Sequence, residues 1–108
     1  MIVHQKDKPT KKAYGVEFKT LATGDKVMCT IMRYKKGVKV PRHNHPAEQV
    51  GYVIKGKLKL WVDGKEIGVA EQGDSYAING NDFHSIEALE DSECVDMFSP
   101  PREEYMDK

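Results

Sequence analysis

The sequence lacks an excess of charge of either sign, and it lacks any long apolar run. Lysine plus arginine and aspartate plus glutamate each number 17 among 108 residues, which gives a formal net charge of zero. Nucleic acids and anionic membranes attract clustered positive charge, so neither is expected as a partner. No apolar stretch approaches the roughly 20 residues that span a bilayer, and the N-terminus lacks the apolar centre of a secretory signal. We therefore expect a cytoplasmic protein.

Cysteine is also scarce, since the chain contains only Cys29 and Cys94. The two residues share no short spacing with each other or with a histidine, as the ligands of a zinc clip would. Thiols stay reduced inside cells, and free cysteine is among the most buried residue types. Two buried free thiols on strands are therefore expected, rather than a disulfide.

What the sequence does contain is a series of short β-branched and aromatic runs. Turn residues separate these runs at intervals of roughly 8 to 12 positions, which is typical of a sandwich or barrel. Asp63-Gly64 predicts a type I′ hairpin, because that turn needs positive φ at both central positions. Such a set of strands closes its edges as a jelly roll or small barrel, with a packed interior or one ligand cavity. The predicted strands are 15–22, 27–34, 38–41, 49–54, 58–62, 66–67, 75–78, 84–89 and 93–99.

Both ends of the chain depart from this pattern. The basic stretch 6–12 is interrupted by an acidic residue and a proline, so we expect residues 1–14 to be a solvated N-terminal arm. The tail 100–108 is expected to hold one short helical turn. Because the length suits one domain, residues 15–108 are predicted to form a single all-β domain.

Three of the four histidines are predicted to converge on one metal ion. His43 and His45 are one residue apart, which on a strand places both imidazoles on the same face, about 6 to 7 Å apart. Gln49 keeps the same parity, and His84 begins a later strand. Three imidazoles and an amide oxygen suit one divalent transition metal such as Zn, Ni, Mn or Fe. His4 lies in the polar arm and is expected to be an ordinary surface residue.

The glycines around these histidines match two motifs of a known superfamily without a gap. The first motif, G-x5-H-x-H-x3-E-x6-G, is matched by Gly37, His43, His45 and Gly56, with Gln49 in place of the glutamate. The second motif, G-x5-P-x-G-x2-H-x3-N, is matched by Gly73 and His84, with Asn79, Asn81 and Ala88 at its three variant positions. The chain thus resembles the cupin superfamily. That resemblance implies an all-β double-stranded β-helix, which is a jelly-roll barrel, in a single domain that pairs as a homodimer.

The fourth metal ligand is predicted to be Gln49 rather than Glu48. Six residues separate Gln49 from Gly56, as the motif requires, and strand parity with His45 also favours Gln49. An amide leaves the metal's full positive charge uncancelled, which makes the centre a better Lewis acid. This chemistry favours polarising a carbonyl or hydroxyl group over oxidative chemistry.

The last strand offers the other half of a site. Asp96 and Phe98 share one face, and a carboxylate within an apolar strand is costly unless it is paired or faces a watery cavity. If Phe98 faces inward, so does Asp96, which is then a candidate acid/base; the alternative is a solvated Asp96 on the outer face. Arg102 follows two prolines. It either holds a carboxylate-bearing ligand or forms a plain salt bridge with Glu103, Glu104 or another strand.

Together, the metal-site residues and the closing Asp96-x-Phe98-x3-Arg102 resemble the small cupins of the pectin-degradation type. Those proteins use a three-His, one-Gln metal site and convert 4,5-unsaturated monouronates to the linear keto form. The resemblance implies that Asp96 is the catalytic acid/base, that Phe98 is a pocket wall and that Arg102 binds the uronate carboxylate. It further implies a metal-dependent, isomerase- or lyase-like enzyme of carbohydrate metabolism acting on a small sugar acid.

Two alternatives use the same pocket. One is a metal-dependent dioxygenase, which would consume oxygen with a catechol or diketone. The other is a non-catalytic cupin that binds a metal or small ligand as a sensor.

Overall fold

Ten β-strands and two short 3₁₀ helices form the protein, of which a computed structural model describes residues 1–107. The strands are β1 (Lys11–Ala13), β2 (Val16–Thr23), β3 (Met28–Tyr34), β4 (Lys39–His43), β5 (Glu48–Lys55), β6 (Lys57–Val62), β7 (Lys65–Glu71), β8 (Ser75–Ile78), β9 (His84–Ala88) and β10 (Ser92–Ser99). The 3₁₀ helices span Gln5–Asp7 and Glu103–Tyr105, the second where the sequence predicts a helical turn. Within residues 1–107, no helix is long and apolar enough to cross a membrane.

The strands form two antiparallel sheets. The six-stranded sheet has the order β1-β2-β3-β10-β5-β8, and the four-stranded sheet has the order β4-β9-β6-β7. Strand β10 lies between β3 and β5, although it is the last strand in the chain. A jelly roll is likewise a double-sheet antiparallel architecture. The predicted all-β jelly roll is therefore confirmed.

The core lies between the inner faces of the two sheets. Strand residues alternate between the two faces of a sheet, and β10 alternates between buried and more exposed positions along its whole length. Asp96 and Phe98 both point inward, each with 1% of its surface exposed. Phe98 lies opposite Gln49 on β5, and Asp96 lies opposite Gly51. The register of β10 and β5 thus brings the side chains of Gln49, Asp96 and Phe98 close together in the core.

The N-terminal segment differs from the expected solvated arm. Strand β1 pairs with β2, so that Ala13 lies opposite Val16 and the expected boundary at residue 15 falls inside a hairpin. The Lys11 Nζ atom donates a hydrogen bond of 2.5 Å to the carbonyl oxygen of Tyr105. A three-residue strand rich in lysine carries no periodic signal, which is why its pairing could not be anticipated from the sequence.

One further expectation, the burial of both cysteines, needs correction. Cys94 is buried and free as expected, but Cys29 is only half-buried, because its neighbours on β3 occupy the inward positions. Met28 and Met32 are both buried in the core. Other apolar side chains are exposed on the outer face of the six-stranded sheet, at Val50, Tyr52, Ile54 and Met97. The homodimer and the cytoplasmic location stay predictions.

Candidate metal centre and pocket

Three histidines meet at one end of the barrel, where β4 and β9 pair. His43 ends β4 and lies directly opposite His84, which begins β9. His45 is not on a strand, as the parity argument assumed, but in the loop that follows β4. The ring centroids of His43 and His84 are 4.3 Å apart, and those of His45 and His84 are 4.9 Å apart. The structure therefore brings the three predicted histidines together, whereas His4 is exposed, as expected.

The three imidazoles share one hydrogen-bonding arrangement. In each ring Nδ1 bonds to a backbone carbonyl oxygen two residues away, at 2.8, 2.8 and 2.9 Å for His43, His45 and His84. A carbonyl can only accept, so Nδ1 carries the proton and Nε2 keeps its lone pair. This is how metal-binding histidines are oriented in proteins. In His84, Nε2 is also buried and has no hydrogen-bond partner among the described residues.

A metal ion fits this arrangement. One nitrogen from each of the three rings lies within 4.8 Å of the others, so His43, His45 and His84 could hold a single ion. Burial lowers the pKa of all three imidazoles, and the pKa of His84 falls to about 4. The positively charged Arg102 lowers these pKa values further. At neutral pH the rings are therefore uncharged, which is the form that binds metal.

Gln49 lies among the histidines, whereas Glu48 faces solvent. The Gln49 Oε1 atom is 3.2 Å from the His45 Nε2 atom, so the amide oxygen points toward the ring nitrogens. The Gln49 amide also lowers the pKa of Asp96. With the proton of His45 on Nδ1, two acceptor atoms face each other across 3.2 Å. A shared cation satisfies such a pair, whereas no bond between two acceptors is possible.

Asp96 is buried behind this cluster in a small polar network. The Tyr76 hydroxyl donates a hydrogen bond of 2.5 Å to Asp96 Oδ1, and the Cys94 thiol lies 3.8 Å from Oδ2. Burial raises the pKa of Asp96 to about 6, although the hydrogen bonds from Tyr76 and Gln49 oppose that rise. A carboxyl group with this pKa gives and takes protons near neutral pH.

Gly51 makes the contact between Asp96 and Tyr76 possible. Gly51 lies opposite Asp96 on β10 and opposite Tyr76 on β8, so the three residues form one row across three strands. A Cβ atom at position 51 would overlap both the Tyr76 ring and the Asp96 carboxylate. Because Gly51 has no side chain, the side chains of Tyr76 and Asp96 can form their hydrogen bond across it.

Arg102 lines the pocket and packs against two aromatic rings. Its guanidinium lies over the rings of Tyr105 and Phe98, at 4.0 and 5.1 Å from their centroids. Its Nε and Nη2 atoms both lie 2.8 Å from Glu104 Oε1, so the salt bridge considered as an alternative is present. The guanidinium nevertheless lines the same cavity as His43 and Asp96. That cavity measures about 30 Å³, which is space for water or an ion rather than for a sugar ring.

Sequence reasoning missed three residues of this site. Tyr76, Tyr105 and Tyr14 have no motif around them, yet Tyr14 and Tyr105 line the cavity and Tyr76 bonds to Asp96. Only Tyr105 carried a usable signal, since it lies in the same expected helical turn that follows Arg102. The other two are brought to the site by strand pairing.

Comparison with known proteins agrees with this architecture. The family model described as a cupin domain matches residues 30–98, and the chain therefore belongs to the cupin domain family. The chain is also 28% identical over 94 residues to the pectin degradation protein KdgF of Dickeya dadantii (strain 3937). That match covers 85% of this chain and 84% of the relative.

Two solved structures share the fold over nearly the whole chain. The structure of KdgF from Halomonas sp. has a TM-score of 0.88 at 24% identity, covering 98% of each chain. An RmlC-like cupin from Shewanella frigidimarina NCIMB 400 also has a TM-score of 0.88 at 24% identity, covering 97% of this chain and 95% of that one. At this level of identity the two structures establish the fold alone.

The raised pKa of Asp96 predicts how stability depends on pH in the protein freed of metal with a chelator. Below about pH 4 the carboxyl is neutral in both the folded and the unfolded state, whereas above about pH 6 it must be ionised while buried. The folded state therefore loses stability as the pH rises between these values. Relative to Asp96→Asn, wild type should lose about 3 kcal/mol over this range. Urea unfolding of both proteins at several pH values measures the difference, and a constant difference would contradict the assignment.

Proposed function

We propose that this protein is a metal-dependent enzyme that opens the ring of a 4,5-unsaturated monouronate and yields its linear keto form. The observation that carries the proposal is one cavity lined by His43, His84, Gln49, Asp96 and Arg102. It combines two members of the three-histidine cluster, a carboxyl group that can exchange protons and a cation suited to a carboxylate. The similarity to a pectin degradation protein supports the same substrate class.

The metal would be held by His43, His45, His84 and Gln49. All four donors are neutral, so a bound divalent ion keeps its full charge. A divalent metal there would act as a Lewis acid toward an oxygen atom of the substrate. Asp96 does not join the donor set, because its two oxygens accept hydrogen bonds from Tyr76 and Cys94. It therefore remains available for proton transfer.

The reaction needs one proton to leave an oxygen and one proton to reach a carbon. The anomeric hydroxyl loses its proton, the bond between C1 and the ring oxygen breaks, and C1 becomes an aldehyde. The enolate released at C5 becomes a ketone when C4 gains a proton. No atom is gained or lost overall, so a single group that first accepts and then donates a proton is sufficient. Asp96 is the group proposed for both transfers, since its pKa is about 6.

Arg102 is proposed to bind the uronate carboxylate. Planar guanidinium groups bind carboxylates with two parallel hydrogen bonds. In the structure Arg102 pairs with one oxygen of Glu104, whose side chain is 56% exposed against 10% for Arg102. A substrate carboxylate would take the place of Glu104, with the sugar ring at the mouth of the small cavity.

Removing the competing carboxylate should therefore strengthen substrate binding. We expect Glu104→Gln to lower KM for the unsaturated monouronate by about two- to fivefold, which matches the small free energy of an exposed ion pair. The value of kcat should change little. Glu103→Gln is the matched control, because Glu103 is the exposed neighbour and makes no ion pair with Arg102 among the described residues. A KM that rises in Glu104→Gln would mean that Glu104 positions Arg102 instead.

Oxygen dependence distinguishes this function from a dioxygenase in the same pocket. The ring opening consumes no oxygen, so turnover of the monouronate should be the same in an anaerobic chamber and in air. Oxygen uptake that matches substrate loss, measured with an oxygen electrode, would reject the isomerase-like reaction.

A further inference from the structure

Tyr14 has a backbone conformation that is unusual for its residue type. With Gly15 it forms the two-residue turn between β1 and β2, and the two residues have φ values of 54° and 80°. Hairpin turns with positive φ at both central positions strongly favour asparagine, aspartate or glycine first. An aromatic residue with positive φ is a genuine outlier, and such conformations concentrate at functional sites.

The other residues with positive φ are of types that tolerate this conformation, unlike Tyr14. Within residues 1–107, the other non-glycine residues with positive φ are Asp63 and Asn81. Both belong to the residue types that tolerate this conformation. Asp63-Gly64 joins β6 to β7 with a two-residue turn of the same kind. Tyr14 is the first residue of its turn, as Asp63 is of the turn between β6 and β7. The backbone conformation at this position therefore favours a smaller polar residue than tyrosine.

The Tyr14 side chain lies at the entrance of the candidate site. Its ring centroid is 5.3 Å from that of His43, and the planes of the two rings are tilted by 34°. The residue lines the same cavity as Arg102 and Tyr105. About half of its surface, 52%, remains exposed. One part of the ring therefore contacts His43, while another part is free at the pocket mouth.

We propose that Tyr14 is a substrate-contacting wall at the pocket entrance, on which the sugar ring lies while Arg102 holds the carboxylate. The inference rests on the function proposed above and names a further subsite for the same substrate class. An aromatic face carries partial negative charge, and it suits the weakly positive C–H face of a pyranose ring. Phe98, in contrast, is buried and lies beneath Arg102, so the two aromatic residues contact different parts of the ligand.

Replacing Tyr14 with asparagine separates binding from folding. Asparagine is favoured at this turn position, so Tyr14→Asn should melt at the same temperature as wild type or higher. If the ring contacts substrate equally in the ground and transition states, its loss raises KM and leaves kcat unchanged. We expect KM for the unsaturated monouronate to rise roughly three- to tenfold. Tyr14→Phe keeps the ring and should match wild type, and metal content should be equal in all three proteins.

Three outcomes would overturn the proposal. The first is an unchanged KM in a folded, metal-loaded Tyr14→Asn protein. The second is a raised KM that returns to the wild-type value when metal is added in excess, because Tyr14 would then serve only to support His43. The third is a raised KM in Tyr14→Phe equal to that in Tyr14→Asn.

Failure of the proposed function can be recognised separately. If wild type does not convert the unsaturated monouronate, calorimetric binding of saturated D-galacturonate to the metal-loaded protein decides the matter. Weaker binding to Tyr14→Asn than to wild type and Tyr14→Phe supports the subsite without any turnover. Equal binding to the three proteins, or no binding to wild type, overturns it.

Discussion

Replacing Asp96 with asparagine is expected to lower kcat for the unsaturated monouronate by about 10²- to 10⁴-fold, the usual contribution of a general acid–base group. Asparagine preserves the size of the side chain and can still accept a hydrogen bond from Tyr76. It cannot take a proton from the anomeric hydroxyl or deliver one to C4. KM should change little, because binding of the carboxylate is assigned to Arg102.

A matched control lies on the same strand. Glu93 is one of the half-buried residues on the opposite face of β10, where it pairs with Arg33 at the surface. Glu93→Gln removes an acidic group from this strand without touching the cavity and should keep wild-type kcat. Metal content must equal that of wild type in both variants. An Asp96→Asn protein that keeps its metal and more than a tenth of wild-type kcat would remove Asp96 from the mechanism.

Replacing His84 with alanine is expected to remove high-affinity metal binding. Loss of a partner that merely orients a ligand costs 10- to 100-fold in metal affinity, so loss of a ligand itself should cost about 100-fold or more. Wild type should also gain thermal stability from added metal, by about 2.7 kcal/mol when the free metal is 100 times Kd. At the same metal concentration the variant should gain about 0.4 kcal/mol or less. Competition with a chromophoric chelator, together with calorimetric melting, measures both effects.

His84 is buried, so its replacement also leaves a cavity that can lower stability without metal. His43→Ala is therefore the second test, since His43 is less buried and its loss perturbs the core less. His4→Ala is the control, because His4 is exposed in the N-terminal segment. If either of the cluster variants keeps wild-type metal affinity, the three-histidine site is wrong.

Local sequence patterns anticipated much of the fold and part of the site. Alternation of apolar and polar residues is a property of one strand alone, and it correctly placed Asp96 and Phe98 on a common face. The structure decides that this face points inward. Turn chemistry is equally local. Asp63 and Gly64 have the positive φ values that their residue types predict. The glycine spacing chose Gln49 over Glu48, and the structure has Gln49 buried beside the histidines and Glu48 exposed.

The features that escaped prediction depend on pairing between distant parts of the chain. Tyr76 reaches Asp96 only because β5 lies between β8 and β10 with Gly51 in register. No sequence pattern specifies that register. Tyr14 reaches His43 because β1 pairs with β2 at the edge of the six-stranded sheet. The sequence alone likewise did not decide whether Arg102 binds a ligand carboxylate or forms a salt bridge. The pairing with Glu104 follows only from the path of the C-terminal segment.

The most direct test of metal-dependent ring opening is a proton NMR time course of 4,5-unsaturated galacturonate. One sample contains metal-loaded wild type, a second contains the same protein after chelation, and a third contains no protein. We predict that the vinylic C4 proton signal disappears and linear keto product appears much faster with the metal-loaded protein than in the other two samples. Equal rates in all three samples would contradict the proposed function.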